Sequence, residues 1–284
     1  MREVLILNNY FLCNNIKIPN IGFGTWQLSK GREGINCIKK ALQVGYRHFD
    51  TASYYDVEEE IGIAISELNV KRDNIFISSK VWNDDRGYDN TIKSFEKSIK
   101  KLNIEFLDLY LIHWPADIHM YENWVDINKS TWRAMIDLYK SKKIKLIGVS
   151  NFKNKHIEIL MNEEIKPMVN QIELHPGFMQ YDLVEFCKKN NILIEAWSPF
   201  AYGKVFNNSE LINISKKYKK PISQICIKYL LQNNILPLPK ASKEKNMIEN
   251  LCMDDFLLND EDIIKINNIS DKMFSGWDSE TIDF

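Results

Sequence analysis

The stretch IFISSKVWNDDRGYDNTIKSFEKSIKKLNIEFLDLYLIHW runs from Ile75 to Trp114. It opens on the apolar run IFISSKV and closes on LDLYLIHW, each the length of a buried strand. Between them, Asp89–Leu102 carries apolar residues three and four apart, the repeat of a helix with one buried face. Two strands joined by a helix lie parallel, because the crossover returns the chain to the same end of the sheet.

The same unit recurs on both sides. Upstream lie IGFGTW (Ile21–Trp26) and YRHFDTA (Tyr46–Ala52). Downstream come IKLIGVSNF (Ile144–Phe152), MVNQIEL (Met168–Leu174), ILIEAWSPF (Ile192–Phe200) and ILPLPKA (Ile235–Ala241). Helical patterns separate most of these runs, at Gly34–Val44, Ser130–Lys142, Tyr181–Lys189, Ser209–Tyr218 and Ile222–Leu231. Eight strands alternating with helices predict an α/β fold, a (β/α)8 TIM barrel, with a short N-terminal β-hairpin in the first ten to twenty residues. A doubly wound open sheet is the rival, but GFGTWQ offers two glycines where a dinucleotide fingerprint after the first strand has three. No linker or low-complexity stretch interrupts the chain, so residues 1–284 are expected to form a single domain.

Composition narrows the function. Hydrophobic residues make up 45 % of the 284 and charged residues 26 %, the balance of an ordinary globular protein. With a net charge of −1 there is no electrostatic case for nucleic acid or an anionic membrane as partner. Lysine clusters such as SKKYKK (Ser215–Lys220) sit beside apolar helical positions and read as solvated faces. The five cysteines are scattered and lack CxxC spacing, which argues against a disulfide framework or a zinc site and for a reducing compartment. The N-terminal apolar run is broken by asparagines, and no segment approaches the roughly 18 apolar residues of a membrane span. A cytoplasmic protein, monomeric and acting on a small molecule, is expected.

In such barrels chemistry gathers at the C-terminal ends of the strands. The second strand ends in Asp50, with Tyr55 five residues on. The third ends in Lys80, followed by Trp82 and Asn83, and the fourth in His113, followed by Trp114 and Pro115. Neighbouring strands stand about 4.8 Å apart, so these side chains can converge. A phenol is a weak acid near neutrality, and a nearby ammonium favours its phenolate. An aspartate would keep that ammonium charged, and an imidazole can orient a carbonyl oxygen. The set suits proton donation to a carbonyl oxygen while another group attacks the carbon. Singly, Asp50 reads as a helix cap, Lys80 as a surface lysine and His113 as a core histidine. The joint pattern carries the functional reading.

GYRHFDTASYY, SSKVW, LIHWP, GVSNF, NQIELHP, AWSPF and LPKAS…EN, in this order between Gly22 and Asn250, resemble the signature segments of the aldo-keto reductases. The likeness is greatest to the bacterial branch that includes diketogluconate and glyoxal reductases. It implies a catalytic set of Asp50, Tyr55, Lys80 and His113, with Tyr55 rather than Tyr54 as proton donor, and NADPH as hydride source. It places Gly24, Thr25, Trp26, Ser150, Asn151 and Gln171 at the cofactor, with Trp197 stacked on the nicotinamide. Ser198, Pro199 and Phe200 would begin the loop over the pyrophosphate. Lys240 would meet the 2′-phosphate, and Glu249 and Asn250 the adenine. Asn151 could instead cap a helix, and Trp197 could be a core residue.

Two departures stand out. Asp56-Val57 follows the tyrosine where the family often has Gly-Asn; an aspartate tolerates a left-handed turn, a valine does so poorly. Asn246 takes the place of an arginine that clamps the 2′-phosphate, leaving Lys243 and Lys245 as point charges and admitting NADH beside NADPH. Trp26, Trp82, Trp114 and Trp124 suggest an aromatic substrate cleft with His113 in its wall. The tail after Ser270 is short, without the extension that narrows specificity in some animal members. Small aldehydes, dicarbonyls and keto sugars are the implied substrates. The alternatives are a cofactor-binding regulatory subunit and a barrel aldolase using Lys80 as a Schiff base.

Overall fold

The computed structural model describes residues 5–7, 10–269 and 273–283. Eight strands form one sheet in chain order: β1 (Phe23–Gly24), β2 (His48–Asp50), β3 (Phe76–Val81), β4 (Leu107–Ile112), β5 (Ile144–Ser150), β6 (Val169–Glu173), β7 (Leu193–Trp197) and β8 (Ile235–Pro237). Every neighbouring pair is parallel. The ring closes through backbone bonds from first strand to last: Gly22 N–H donates to Pro237 O at 3.0 Å and Gly24 N–H to Pro239 O at 3.1 Å. The two glycines of IGFG allow that approach, since a Cβ at Gly22 would stand 2.4 Å from Leu238 Cδ2 and one at Gly24 3.1 Å from Leu238 O. The close fit of the first strand against Leu238 explains these glycines without a phosphate.

Ten helices are described: α1 (Arg32–Val44), α2 (Glu58–Glu67), α3 (Tyr88–Leu102), α4 (Trp124–Lys140), α5 (Asn154–Glu158), α6 (Tyr181–Lys189), α7 (Ser209–Tyr218), α8 (Ile222–Gln232), α9 (Glu244–Leu251) and α10 (Asp260–Asn267). In α3 the apolar repeat does what its spacing requires: Phe95 and Leu102 are buried, and Ile92 and Ile99 pack against the core. Asn103 ends the helix in the left-handed conformation, at φ 53°, which asparagine adopts more readily than most residues. The expected helix Ser130–Lys142 in fact spans Trp124–Lys140; its first turns bury a polar residue, Asn128, which bonds both ways to the Ala116 backbone and so breaks the apolar period. The N-terminal hairpin pairs Tyr10–Cys13 with Ile16–Pro19, and Leu5–Leu7 adds a third antiparallel strand. Its tight turn is Asn14-Asn15, both at positive φ, as a two-residue hairpin loop demands.

Alternation along the strands sets the site. In β3, Ser79 faces outward, donating to Glu58 Oε1 on α2 at 2.7 Å. Ser78 and Lys80 must then point into the barrel, and both reach Asp50 there. No helix among the described residues is long and apolar enough to cross a membrane.

Candidate active site

Asp50 ends β2 level with Ser78 of β3, and Lys80 lies one full pleat further toward the C-terminal end. The Lys80 ammonium is fully buried and lies 2.8 Å from each Asp50 carboxylate oxygen. It also donates to Thr51 O at 2.9 Å and to the Tyr55 hydroxyl at 3.5 Å. Burial alone would discharge an amine here, but Asp50, Tyr55 and Glu195 outweigh it and raise the Lys80 pKa.

A short turn, Ser53–Tyr55, carries the phenol, and Ser53 Oγ ties it to β3 through Lys80 O at 3.0 Å. Asp56 follows in the left-handed region at φ 54°, while Val57 keeps a negative φ of −131° and is buried. The aspartate therefore takes the left-handed position, and the valine is spared a positive φ. Burial pushes the Tyr55 phenol up to about 12, against the pull of Lys80; Asp50 adds to the rise. The hydroxyl is thus protonated at neutral pH. It faces His113 Nε2 at 3.5 Å. Burial and then Lys80 hold His113 well below its usual pKa, so the ring is neutral. Among the described residues no group of three or more His, Cys, Asp or Glu could hold a metal ion.

These groups meet at one end of a cavity of about 280 Å³. Gly24, Trp26, Ser150, Asn151, Gln171, Trp197, Ser198, Pro199, Phe200 and Lys240 line it, together with Asp50, Tyr55, Trp82, His113 and Trp114. Lys80 lies beneath its floor. Thr25 is buried, its hydroxyl donating to Asp50 O at 2.9 Å, so it braces β1 against β2. Asn246, Glu249 and Asn250 lie on α9 outside the cavity lining, Asn246 exposed and Asn250 buried near Tyr46. Trp124 also stands apart, its ring edge-on to His156 at 5.6 Å.

Asn151 caps no helix. It sits at φ 61°, donates to His113 O at 3.0 Å and accepts from Trp197 Nε1 at 2.8 Å. One amide thereby fixes both the histidine strand end and the tryptophan that walls the cavity. Gln171 turns its nitrogen into the barrel, 2.8 Å from Asp50 Oδ1 and 2.9 Å from Glu195 Oε2. Both amide protons are engaged, which leaves its oxygen for the cavity.

Several lining residues were not expected, Tyr54 and Trp277 among them. Tyr54 stacks on Trp82 with ring centroids 3.7 Å apart and continues the aromatic wall to Trp26. Trp277 comes from the tail, with its ring 6.4 Å from Trp26 and 6.3 Å from Trp114. The tail is anchored where Ser275 donates to both Glu173 oxygens, at 3.0 and 2.6 Å, and where Lys153 meets Asp278 and Glu280, each at 2.5 Å. A tryptophan isolated in a polar tail, SGWDSE, was the available signal.

Comparison with known proteins matches residues 20–271 to the Aldo/keto reductase family. Glyoxal reductase of Bacillus subtilis is 44% identical over 260 residues, covering 91% of each chain. Methylglyoxal reductase DkgA of Escherichia coli O157:H7 is 38% identical over 252 residues, covering 88% of each. Among solved structures, an aldo-keto reductase from a Medee basin deep-sea metagenome library aligns with a TM-score of 0.89 at 39% identity, covering 95% of this chain and 98% of the other. A Gox0644 variant in complex with NADPH also gives 0.89, at 35% identity, covering 98% and 100%. The strand-end geometry and the match over most of the length lead to one conclusion: this chain belongs to the aldo/keto reductase family.

Proposed function

We propose that the protein reduces small aldehydes, dicarbonyls and ketones to alcohols with NADPH, and that Tyr55 gives the proton. The observation that carries this is the Tyr55 hydroxyl, 3.5 Å from both Lys80 Nζ and His113 Nε2. A carbonyl oxygen seated between the phenol and the neutral imidazole meets two groups able to donate to it. As charge grows on that oxygen, Tyr55 releases its proton and Lys80 stabilises the phenolate left behind. Asp50 holds the ammonium in place throughout. The names of the relatives, glyoxal and methylglyoxal reductase, support dicarbonyls as substrates.

The residues fit the cofactor. The Gln171 oxygen can accept from a carboxamide, the Trp197 ring is fixed by Asn151, and Lys240 lines the far part of the cavity. NADPH, when bound, supplies the hydride. Trp26, Tyr54, Trp82, Trp114 and Trp277 form apolar walls that exclude water from the carbonyl. Scattered cysteines without CxxC spacing support a reducing, cytoplasmic setting.

The test is NADPH oxidation against a panel of carbonyls that includes glyoxal and methylglyoxal. Turnover of these with Tyr55→Phe inactive supports the reading. Tight NADPH binding without turnover of any carbonyl would leave a binding subunit in its place.

A further inference from the structure

Inside the barrel, below the reacting groups, lies a carboxyl group that the proposed reaction does not use. Glu195 on β7 is fully buried. Its Oε2 accepts from Gln171 Nε2 at 2.9 Å, and its Oε1 meets no hydrogen-bond partner among the described residues. The same Gln171 nitrogen donates to Asp50 Oδ1 at 2.8 Å. Asp50 Oδ1 also accepts from Ser78 Oγ at 2.9 Å and from Lys80 at 2.8 Å. One amide nitrogen thus bridges two carboxyl groups, and one ammonium, Lys80, already directed to Asp50, Thr51 and Tyr55, serves as cation for both.

We propose that Glu195 is a positioning residue for the reduction: through Gln171 it fixes an amide whose oxygen faces the cofactor and ties that amide to the Asp50–Lys80–Tyr55 chain. The inference rests on the reading of the cavity as an NADPH and carbonyl site. Gln171 has two amide protons and two acceptors for them on the barrel side. With either acceptor gone, the amide is free to turn, and its nitrogen rather than its oxygen can face the cavity. That reversal presents a donor where a carboxamide NH2 needs an acceptor.

Charge balance sets the working form. The charged groups acting on Glu195 are Asp50 from β2 and Lys80 from β3; its other close polar neighbour is Gln171 on β6, and its ladder partner on β8 is Leu236. Burial first, then Asp50, raises the Glu195 pKa to about 8, with Gln171 and Lys80 opposing. The folded value lies above the ordinary one, so the neutral acid holds at pH 7 and the anion forms as the pH climbs through about 8. An anion there adds a second negative charge to those served by Lys80. It weakens the ammonium's hold on the Tyr55 phenolate and slows proton donation. Tyr55 itself, at about 12, does not titrate in that range.

Glu195→Gln copies the neutral acid in shape and hydrogen bonding, whereas Glu195→Leu removes the acceptor for Gln171. The readouts are kcat/KM for methylglyoxal reduction from pH 6 to 9.5 and NADPH affinity by tryptophan fluorescence quenching. The wild type is expected to lose activity on an alkaline limb near pH 8, and Glu195→Gln to move that limb up by about one pH unit or more. Glu195→Leu is expected to weaken NADPH binding about tenfold at pH 6.5, with Glu195→Gln restoring most of the affinity. A Glu195→Gln profile that keeps the wild-type limb overturns the proposal, as does a Glu195→Leu protein that binds NADPH and turns over like the wild type. Should Glu195→Leu fail to fold by circular dichroism, the Glu195→Gln profile decides alone. Absence of carbonyl turnover in the wild type would sink the underlying function, a result distinct from an intact wild type with silent variants.

Discussion

Lys80 Nζ lies 2.8 Å from both carboxylate oxygens of Asp50, a buried ion pair centred at the C-terminal ends of β2 and β3. Each ion alone would be costly at this depth, because both are buried. Together they hold a charged ammonium beside the Tyr55 phenol, and the chemistry proposed for the site depends on that arrangement.

Tyr55→Phe keeps the ring and its packing against Trp26 but removes the proton. Reduction is expected to fall about a hundred- to ten-thousandfold, the usual worth of a positioned acid, with NADPH affinity little changed. Tyr54→Phe loses a hydroxyl from a ring whose stacking on Trp82 remains, and should cost less than about threefold. Steady-state kinetics of both variants give the check; exchanged effects would move the donor to Tyr54.

The role of Lys80 is visible in the reverse direction. Oxidation of an alcohol needs the phenolate as base, so its rate rises with pH as the phenol ionises. Burial holds that phenol near 12 and Lys80 pulls it down, so Lys80→Met should shift the rising limb to still higher pH while lowering the rate. A pH profile of alcohol oxidation with NADP+ measures it. An unmoved limb at near-normal rate would remove Lys80 from the mechanism.

His113 is expected to act as a neutral hydrogen-bonding group and not as a metal ligand. Its nearest polar side-chain partner is the Tyr55 hydroxyl, and a zinc or iron site needs three or more ligands. Activity should survive dialysis against EDTA. Loss that a divalent metal restores would overturn the assignment.

The reading from sequence reached some of these features and missed others for physical reasons. Asp50, Lys80 and His113 were legible because strand period and strand ends place them without knowledge of any distant contact. The two glycines of IGFG were legible only as an absent fingerprint; their close approach to Leu238 depends on the ring closing. Asn151 read equally well as a cap, and only the arrival of His113 and Trp197 from other strands settled its bonds. Gln171 and Glu195 are 24 residues apart, and their bond depends on the pairing of β6 with β7, which no local pattern encodes. Trp277 was hidden by position, since a short polar tail gives no period from which docking can be read.

That tail supplies a test of substrate size. Trp277 stands between Trp26 and Trp114 and is 37% exposed, so its ring is available to a ligand. Trp277→Ala should raise KM for an aromatic aldehyde about five- to tenfold, the scale of one lost aromatic contact. Methylglyoxal, too small to reach it, should change by less than about twofold. Equal effects on both substrates would place Trp277 in the structure and not in the binding wall.

Cofactor choice is the prediction on which the sequence is least conventional. Lys240 lines the cavity and donates to Gln27 O at 2.7 Å; Asn246 is exposed on α9, where a family member often has arginine. Lys243 and Lys245 flank that helix start, but Lys245 already meets Glu249 at 3.6 Å. An exposed charge contact is worth about 1 kcal/mol, and a bidentate arginine–phosphate contact more. With a lysine and no guanidinium, the preference for NADPH over NADH should be about tenfold to a hundredfold in kcat/KM. Asn246→Arg should widen that ratio, because a planar fork can grip two phosphate oxygens at once. Lys240→Ala should narrow or erase it. Burial already lowers the Lys240 pKa, so a nearby phosphate would favour its charged form and be favoured in return. A wild type that prefers NADH, or a ratio unmoved by Lys240→Ala, would mean that the 2′-phosphate is not held at this end of the cavity.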